Sequence, residues 1–156
     1  MAEQRTREVE RLYREHRDRM WRAVLAWSGD GDVAADAVAE AFAQLLRRGQ
    51  EVREPLKWAW RAAFRIAAGD LKERRMTSAS VLPERAYEMP EPASDLMAAL
   101  ARLSPKQRAS VVLHHYAGYP AKDVARIVGS TSAAVRVHLS AGRRRLRELL
   151  KDDDDA

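Results

Sequence analysis

The chain has 156 residues, with 28 lysines and arginines against 23 aspartates and glutamates, a formal charge of +5 and no cysteine. Disulfides, zinc ribbons and thiol nucleophiles are excluded, and the cationic excess favours a polyanionic partner, with nucleic acid the leading expectation. Met1 to Arg22 is charged throughout and lacks the apolar core of a signal peptide. No stretch approaches the roughly 20 apolar residues of a spanning helix, so a soluble cytoplasmic protein with no membrane partner is expected.

From Glu3 to Trp27, the apolar residues Val9, Leu12, Tyr13, Met20, Val24 and Trp27 recur at helical spacing. Turn residues follow at Ser28-Gly29-Asp30-Gly31-Asp32, and Asp32 is expected to cap a second helix to about Arg48, with Val33, Ala37, Val38, Ala41 and Leu45 inward. Pro55 suits the first turn of a third helix that carries Trp60, Ala63, Phe64, Ala67 and Leu71 on one side and ends in the charged run Lys72 to Arg75. Trp58 and Trp60 cannot share a helical face; Trp60 is assigned to the core and Trp58 is left open.

Between about Met76 and Pro92 the periodicity stops and Pro83, Pro90 and Pro92 appear among acidic residues, the composition of an extended linker. Helices resume with Ser94 or Asp95 as cap and Leu96, Leu100 and Leu103 as a buried stripe. Ser104-Pro105-Lys106-Gln107 reads as a capping box that opens a helix burying Val112, Leu113 and Tyr116 and stopping at Gly118. The expected fold is all-α, with two small helical domains: residues 1–75, a flexible acidic linker at 76–93, a helix-turn-helix domain at 94–150, and an acidic tail at 151–156.

The helix-turn-helix rests on spacing. Counting from Ala121, the small Ala125 is fifth, Gly129 ninth and the branched Val135 fifteenth, which are the residue types a tight crossing of two helices needs at those points. A second helix starting after Thr131 would bury Val135, Leu139, Gly142, Leu146 and Leu149, leaving Ser132, Arg136, Ser140, Arg143 and Arg147 outward. In a major groove the first of these would meet base edges and the later arginines phosphates. A solvated cationic face near a helix carboxyl end would look the same by charge alone; the helix-turn-helix spacing favours DNA.

His114 and His115 are adjacent, so their rings diverge by about 100 degrees on a helix, and no acidic or cysteine partner completes a metal or base site around them. A P-loop, a glycine-rich nucleotide fingerprint and a nucleophile elbow are all missing from the sequence. Neither an enzyme nor a cofactor is expected. Asp152 to Asp155 reads as a solvated end that stops the last helix.

From about Glu8 to Leu150 the chain resembles a small bacterial RNA polymerase sigma factor of the extracytoplasmic-function type. The segment LSPKQRASVVLHHYAGYPAKDVARIVGSTSAAVRVHLSAGRRRLREL is similar to that family's region 4, through Leu103-Ser104-Pro105, Arg108, Asp123-Val124-Ala125, Gly129, Val135 and Leu146. DVAADAVAEAFAQLLRR resembles the part of region 2 that docks on the β′ clamp helices, with Asp36, Glu40 and Phe42 in place, and EPLKWAWRAAFRIAAGDLKERR the part that opens the minus-10 element, with Pro55, Trp58 and Leu71.

The resemblance implies three sets of site residues. Thr131, Ser132, Ala133, Arg136, Val137, Ser140, Arg143 and Arg144 would contact a minus-35 duplex. Arg48, Trp58, Arg61, Arg65 and Lys72, with the loop Arg48 to Glu54, would hold an opened minus-10 strand by stacking and backbone cations. Asp36, Glu40, Phe42, Leu45 and Leu46 would meet polymerase. The partners it implies are polymerase core, through the β′ clamp helices and β flap, promoter DNA and an anti-sigma factor, with the free chain a monomer. Departures from the pattern are Ala39 for a common glutamine, Arg65 and Gly69 for asparagine and aspartate, Ala133-Ala134 for glycine-threonine, and Ser140-Ala141-Gly142 for a more basic run. Two other functions stay open at this point: a stand-alone helix-turn-helix regulator, and a sigma-like protein that binds polymerase without opening promoters.

Overall fold

The fold was obtained as a computed structural model, which describes residues 2–77 and 91–154, with side chains described within 2–73 and 95–151. Among these residues there are seven α-helices and no strand. The chain divides into two compact units, Met1–Leu82 and Pro83–Ala156. Most of the expected linker, 76–93, lies outside the described residues.

In the first unit α1 (Ala2–Ser28), α2 (Gly31–Arg48) and α3 (Pro55–Thr77) pack as a three-helix bundle, with a 3-10 turn at Gly49–Glu51. Each helix turns one apolar stripe inward: Val9, Leu12, Met20 and Val24 from α1, Val33, Val38, Phe42 and Leu45 from α2, and Trp60, Ala63, Phe64 and Ala67 from α3. The Phe64 ring joins Trp60, stacked at 6.4 Å, and Trp27, tilted at 5.6 Å. Tyr13 meets Phe42 edge-on at 5.1 Å, a geometry in which a ring edge faces the π cloud of its neighbour.

The cap of α2 is Asp30, not Asp32. Its Oδ1 accepts the amide hydrogens of Asp32 at 3.0 Å and Val33 at 3.1 Å, because the helix starts at Gly31. Asp32 then lies in the first turn, where the exposed amide ends favour negative charge.

In the second unit α4 (Glu91–Ala101) begins ahead of the expected cap at Ser94 or Asp95. Pro92 fits in its first turn, where an amide hydrogen has no helical partner to lose. Leu100 and Leu103 are buried as expected, but Leu96 is 43% exposed, and the inward stripe starts at Ala99. Arg108 ties the end of α4 to the next helix: its guanidinium donates to the carbonyls of Leu100, Ala101 and Leu103, in the stretch where α4 ends and helical acceptors run short of amide partners.

The helix α5 (Pro105–Val111) opens on a complete capping box between Ser104 and Gln107. It runs on as a π turn, Val112–Tyr116, in which Ala117 N–H reaches back five residues to the Val112 carbonyl at 3.1 Å. The wider turn shifts later side chains around the axis. Tyr116, expected in the core, is 37% exposed, and Tyr119 is buried instead. Then follow α6 (Ala121–Val128) and α7 (Ser132–Asp154). Since α7 continues to Asp154, the acidic tail does not stop it; no glycine or proline occurs there to do so.

Candidate nucleic-acid interface

The pair α6 and α7 forms the helix-turn-helix. Gly129 is left-handed (φ 72°, ψ 44°), and its amide hydrogen and that of Ser130 both return to the Ala125 carbonyl. Only glycine enters that backbone region without a steric penalty. Ala125 and Val135 are both buried where the helices cross. Thr131 starts α7: its Oγ1 accepts the Ala134 amide hydrogen at 3.1 Å.

With Val135, Leu139, Gly142 and Leu149 inward, the outer face of α7 carries Ala133, Arg136, Val137, Ser140, Arg143 and Arg144, all exposed, and Ser132 half-buried at its start. The minus-35 set thus lies on one continuous helical surface, with Thr131 doubling as the cap. Leu146 is half-buried. Within this unit His114 uses its Nδ1–H to bond the Tyr119 carbonyl at 2.7 Å, and it packs edge-on against His115 at 4.9 Å. Burial, His114 and Arg143, in that order, hold the His115 imidazole below its ordinary pKa. His114 is thereby tied into the packing, and among the described residues no cluster suited to a metal ion occurs.

In the first unit the minus-10 set assembles around the 3-10 turn and α3. The Arg48 guanidinium lies over the half-buried Trp58 ring, 5.5 Å from its centroid, within reach of a cation–π attraction. Trp58, Arg61, Arg65 and Lys72 follow one another at helical spacing along a single stripe of α3, and the last three are exposed. Gly69 lies in the same row and is also exposed.

One residue of this region has no counterpart in the sequence expectations. Arg5, near the start of α1, donates through Nε to the Gly49 carbonyl at 3.1 Å and through Nη2 to the Val52 carbonyl, while Nη1 pairs with Glu8 at 2.8 Å. It ties down the turn that carries Arg48 toward Trp58. An arginine 44 residues before its acceptor leaves no local signal, so only the assembled bundle reveals the contact.

The polymerase set divides. Asp36, Glu40 and Leu46 are exposed, Leu46 at 45%, whereas Phe42 and Leu45 are inside the bundle. These two were expected at the docking surface, but the helical period turns them to the side facing α1 and α3. Glu40 accepts hydrogen bonds from Gln44 at 3.1 Å and Arg47 at 3.0 Å, and these hold its carboxyl below the usual carboxylate pKa.

Comparison with known proteins places this geometry. Residues 93–146 match the family model described as sigma-70, region 4. The chain is 28% identical over 154 residues to the ECF RNA polymerase sigma factor SigE of Mycolicibacterium smegmatis, an alignment covering 89% of this chain and 60% of that protein. It is 27% identical over 159 residues to the ECF RNA polymerase sigma factor BldN of Streptomyces coelicolor, covering 92% of this chain and again 60% of the relative. The chain therefore spans about three fifths of the length of these curated relatives. Among solved structures, the sigma factor RpoE from Bartonella quintana, in complex with the anti-sigma factor NepR, matches with a TM-score of 0.81 at 19% identity, over 92% of this chain and 97% of that one; it shares the fold.

Two helical units, the second built on a helix-turn-helix that matches sigma-70 region 4, give the chain the architecture of proteins of the sigma-70 type. Within that class it is similar to extracytoplasmic-function sigma factors over about nine tenths of its length.

Proposed function

We propose that the chain binds bacterial RNA polymerase core and directs it to specific promoters, catalysing no reaction itself. The observation that carries this reading is the outer face of α7, where short polar side chains lead and arginines follow on one exposed surface. In this reading residues 94–150 hold a minus-35 duplex against the β flap. Ser132 and Arg136 meet base edges, while Arg143 and Arg144 grip phosphates and displace counterions. Residues 1–75 take the opened minus-10 strand: Trp58 offers a stacking surface, and Arg48, Arg61, Arg65 and Lys72 line the backbone path.

Asp36, Glu40 and Leu46 form the docking face for the β′ clamp helices, with Phe42 and Leu45 supporting it from within. The Arg47 and Gln44 bonds fix the Glu40 carboxylate before the partner arrives. Acting on cellular polymerase, the chain would work in the cytoplasm as a monomer. An anti-sigma factor, such as the one bound to RpoE, is a further partner of this reading.

The test is reconstitution of the full chain with polymerase core on a random promoter library, followed by sequencing of transcript 5′ ends. Transcripts that share two upstream elements are expected. Core binding without transcripts would mark an interaction protein, and duplex binding without core binding a stand-alone regulator; either would overturn the proposal.

A further inference from the structure

Val137 is the most exposed of the large apolar side chains among the described residues, at 66%. It stands in the middle of the outer face of α7, with exposed Ala133 four residues before it and half-buried Ala141 four residues after. Residues four apart lie one above the other on a helix, so these three form an apolar stripe through a face otherwise made by Arg136, Ser140, Arg143 and Arg144. A β-branched residue at an open helical position is a poorer helix former than alanine, lysine or arginine. Helix stability therefore gives no reason for a valine there.

The flanking arginines call for an anionic partner. A DNA major groove combines phosphates at its rims with a single kind of apolar group on its base edges, the C5-methyl of thymine. Against an adenine or cytosine amino group, or a guanine carbonyl, a valine would leave a buried polar group without a hydrogen bond. We infer that Val137 is a specificity residue that selects thymine by covering its C5-methyl, while the short Ala133 and Ala141 side chains let the base edges approach. The inference rests on the duplex-reading role of α7 proposed above.

Deoxyuridine tests it directly, since it pairs as thymidine does and lacks only the methyl. Duplexes are selected from a random pool with the full chain, alone and with polymerase core, and each thymine of the enriched sequence is then replaced singly by deoxyuridine. One position is expected to lose roughly fourfold in affinity, the scale of one buried methyl-sized group. Val137→Ala is expected to abolish that sensitivity, binding the thymidine and deoxyuridine duplexes with equal affinity. Tolerance of deoxyuridine at every position, or sensitivity that persists in Val137→Ala, would overturn the inference and leave duplex reading standing. Enrichment of no sequence at all would overturn duplex reading, and the role of Val137 with it.

Discussion

A Cβ built on Gly142 would stand 2.8 Å from Val111 Cγ2, whereas one built on Gly69 would meet nothing within 4 Å. Both glycines are helical, so the same substitution should act in opposite directions. Gly142→Ala forces α5 and α7 apart and is expected to destabilise the chain by about 1–3 kcal/mol, the usual range for overpacking. Gly69→Ala is expected to stabilise it by about 0.5–1 kcal/mol, because a helix interior disfavours glycine and nothing crowds the site. Denaturant unfolding of the two variants decides both signs. His115 gives a prediction in pH. Its folded-state pKa is depressed, so the unfolded chain binds more protons as pH falls below about 6.5. The associated stability is present above that pH and lost as the pH drops toward the folded value. Thermal unfolding between pH 7.5 and 5 should show this loss, and His115→Gln should reduce it; equal pH dependence in both proteins would show that His115 makes no contribution.

At the scale of elements, what the sequence made legible depended on how local the cause was. The Ser104 capping box, the left-handed Gly129 and the inward stripes of α1, α2 and α3 follow from residues within one or two turns of each other, and the structure has them as expected. Asp32 was expected to cap α2, but the helix starts ahead of it, at Gly31, which leaves Asp30 outside as the cap. The π turn was invisible to a period of 3.6 residues, which is why Tyr116 was placed inward in error and Tyr119 was missed. Phe42 and Leu45 were assigned to docking by resemblance, although for Leu45 the helical period alone already pointed to the core.

Arg5 was legible to neither route, and it carries the element-scale prediction. Arg5→Ala should speed amide exchange through residues 49–54 and weaken binding of single-stranded minus-10 DNA, with minus-35 duplex binding unchanged. Arg5→Lys, which can still reach one carbonyl, should restore part of both effects. Normal exchange in Arg5→Ala would show that the turn holds itself.

For the whole molecule, the two-unit all-helical organisation was readable because two separate sets of periodic stripes flank a stretch without any. Among the described residues no helix is long and apolar enough to cross a membrane. The charge excess of +5 pointed to a polyanion and could not name it; promoter DNA on polymerase is the partner proposed above from the helix-turn-helix geometry and the similarity to sigma factors. The central claim is that the face of α7 divides its labour, with Arg136 reading bases and Arg144 holding phosphate. Duplex binding by the full chain, wild type, Arg136→Ala and Arg144→Ala, measured across a sequence panel at several salt concentrations, tests it most directly. Arg136→Ala should relax preference at one upstream base position by about 1–3 kcal/mol, and Arg144→Ala should weaken all sequences alike and lower the salt slope by about one. Uniform loss across the panel for both variants would contradict that division.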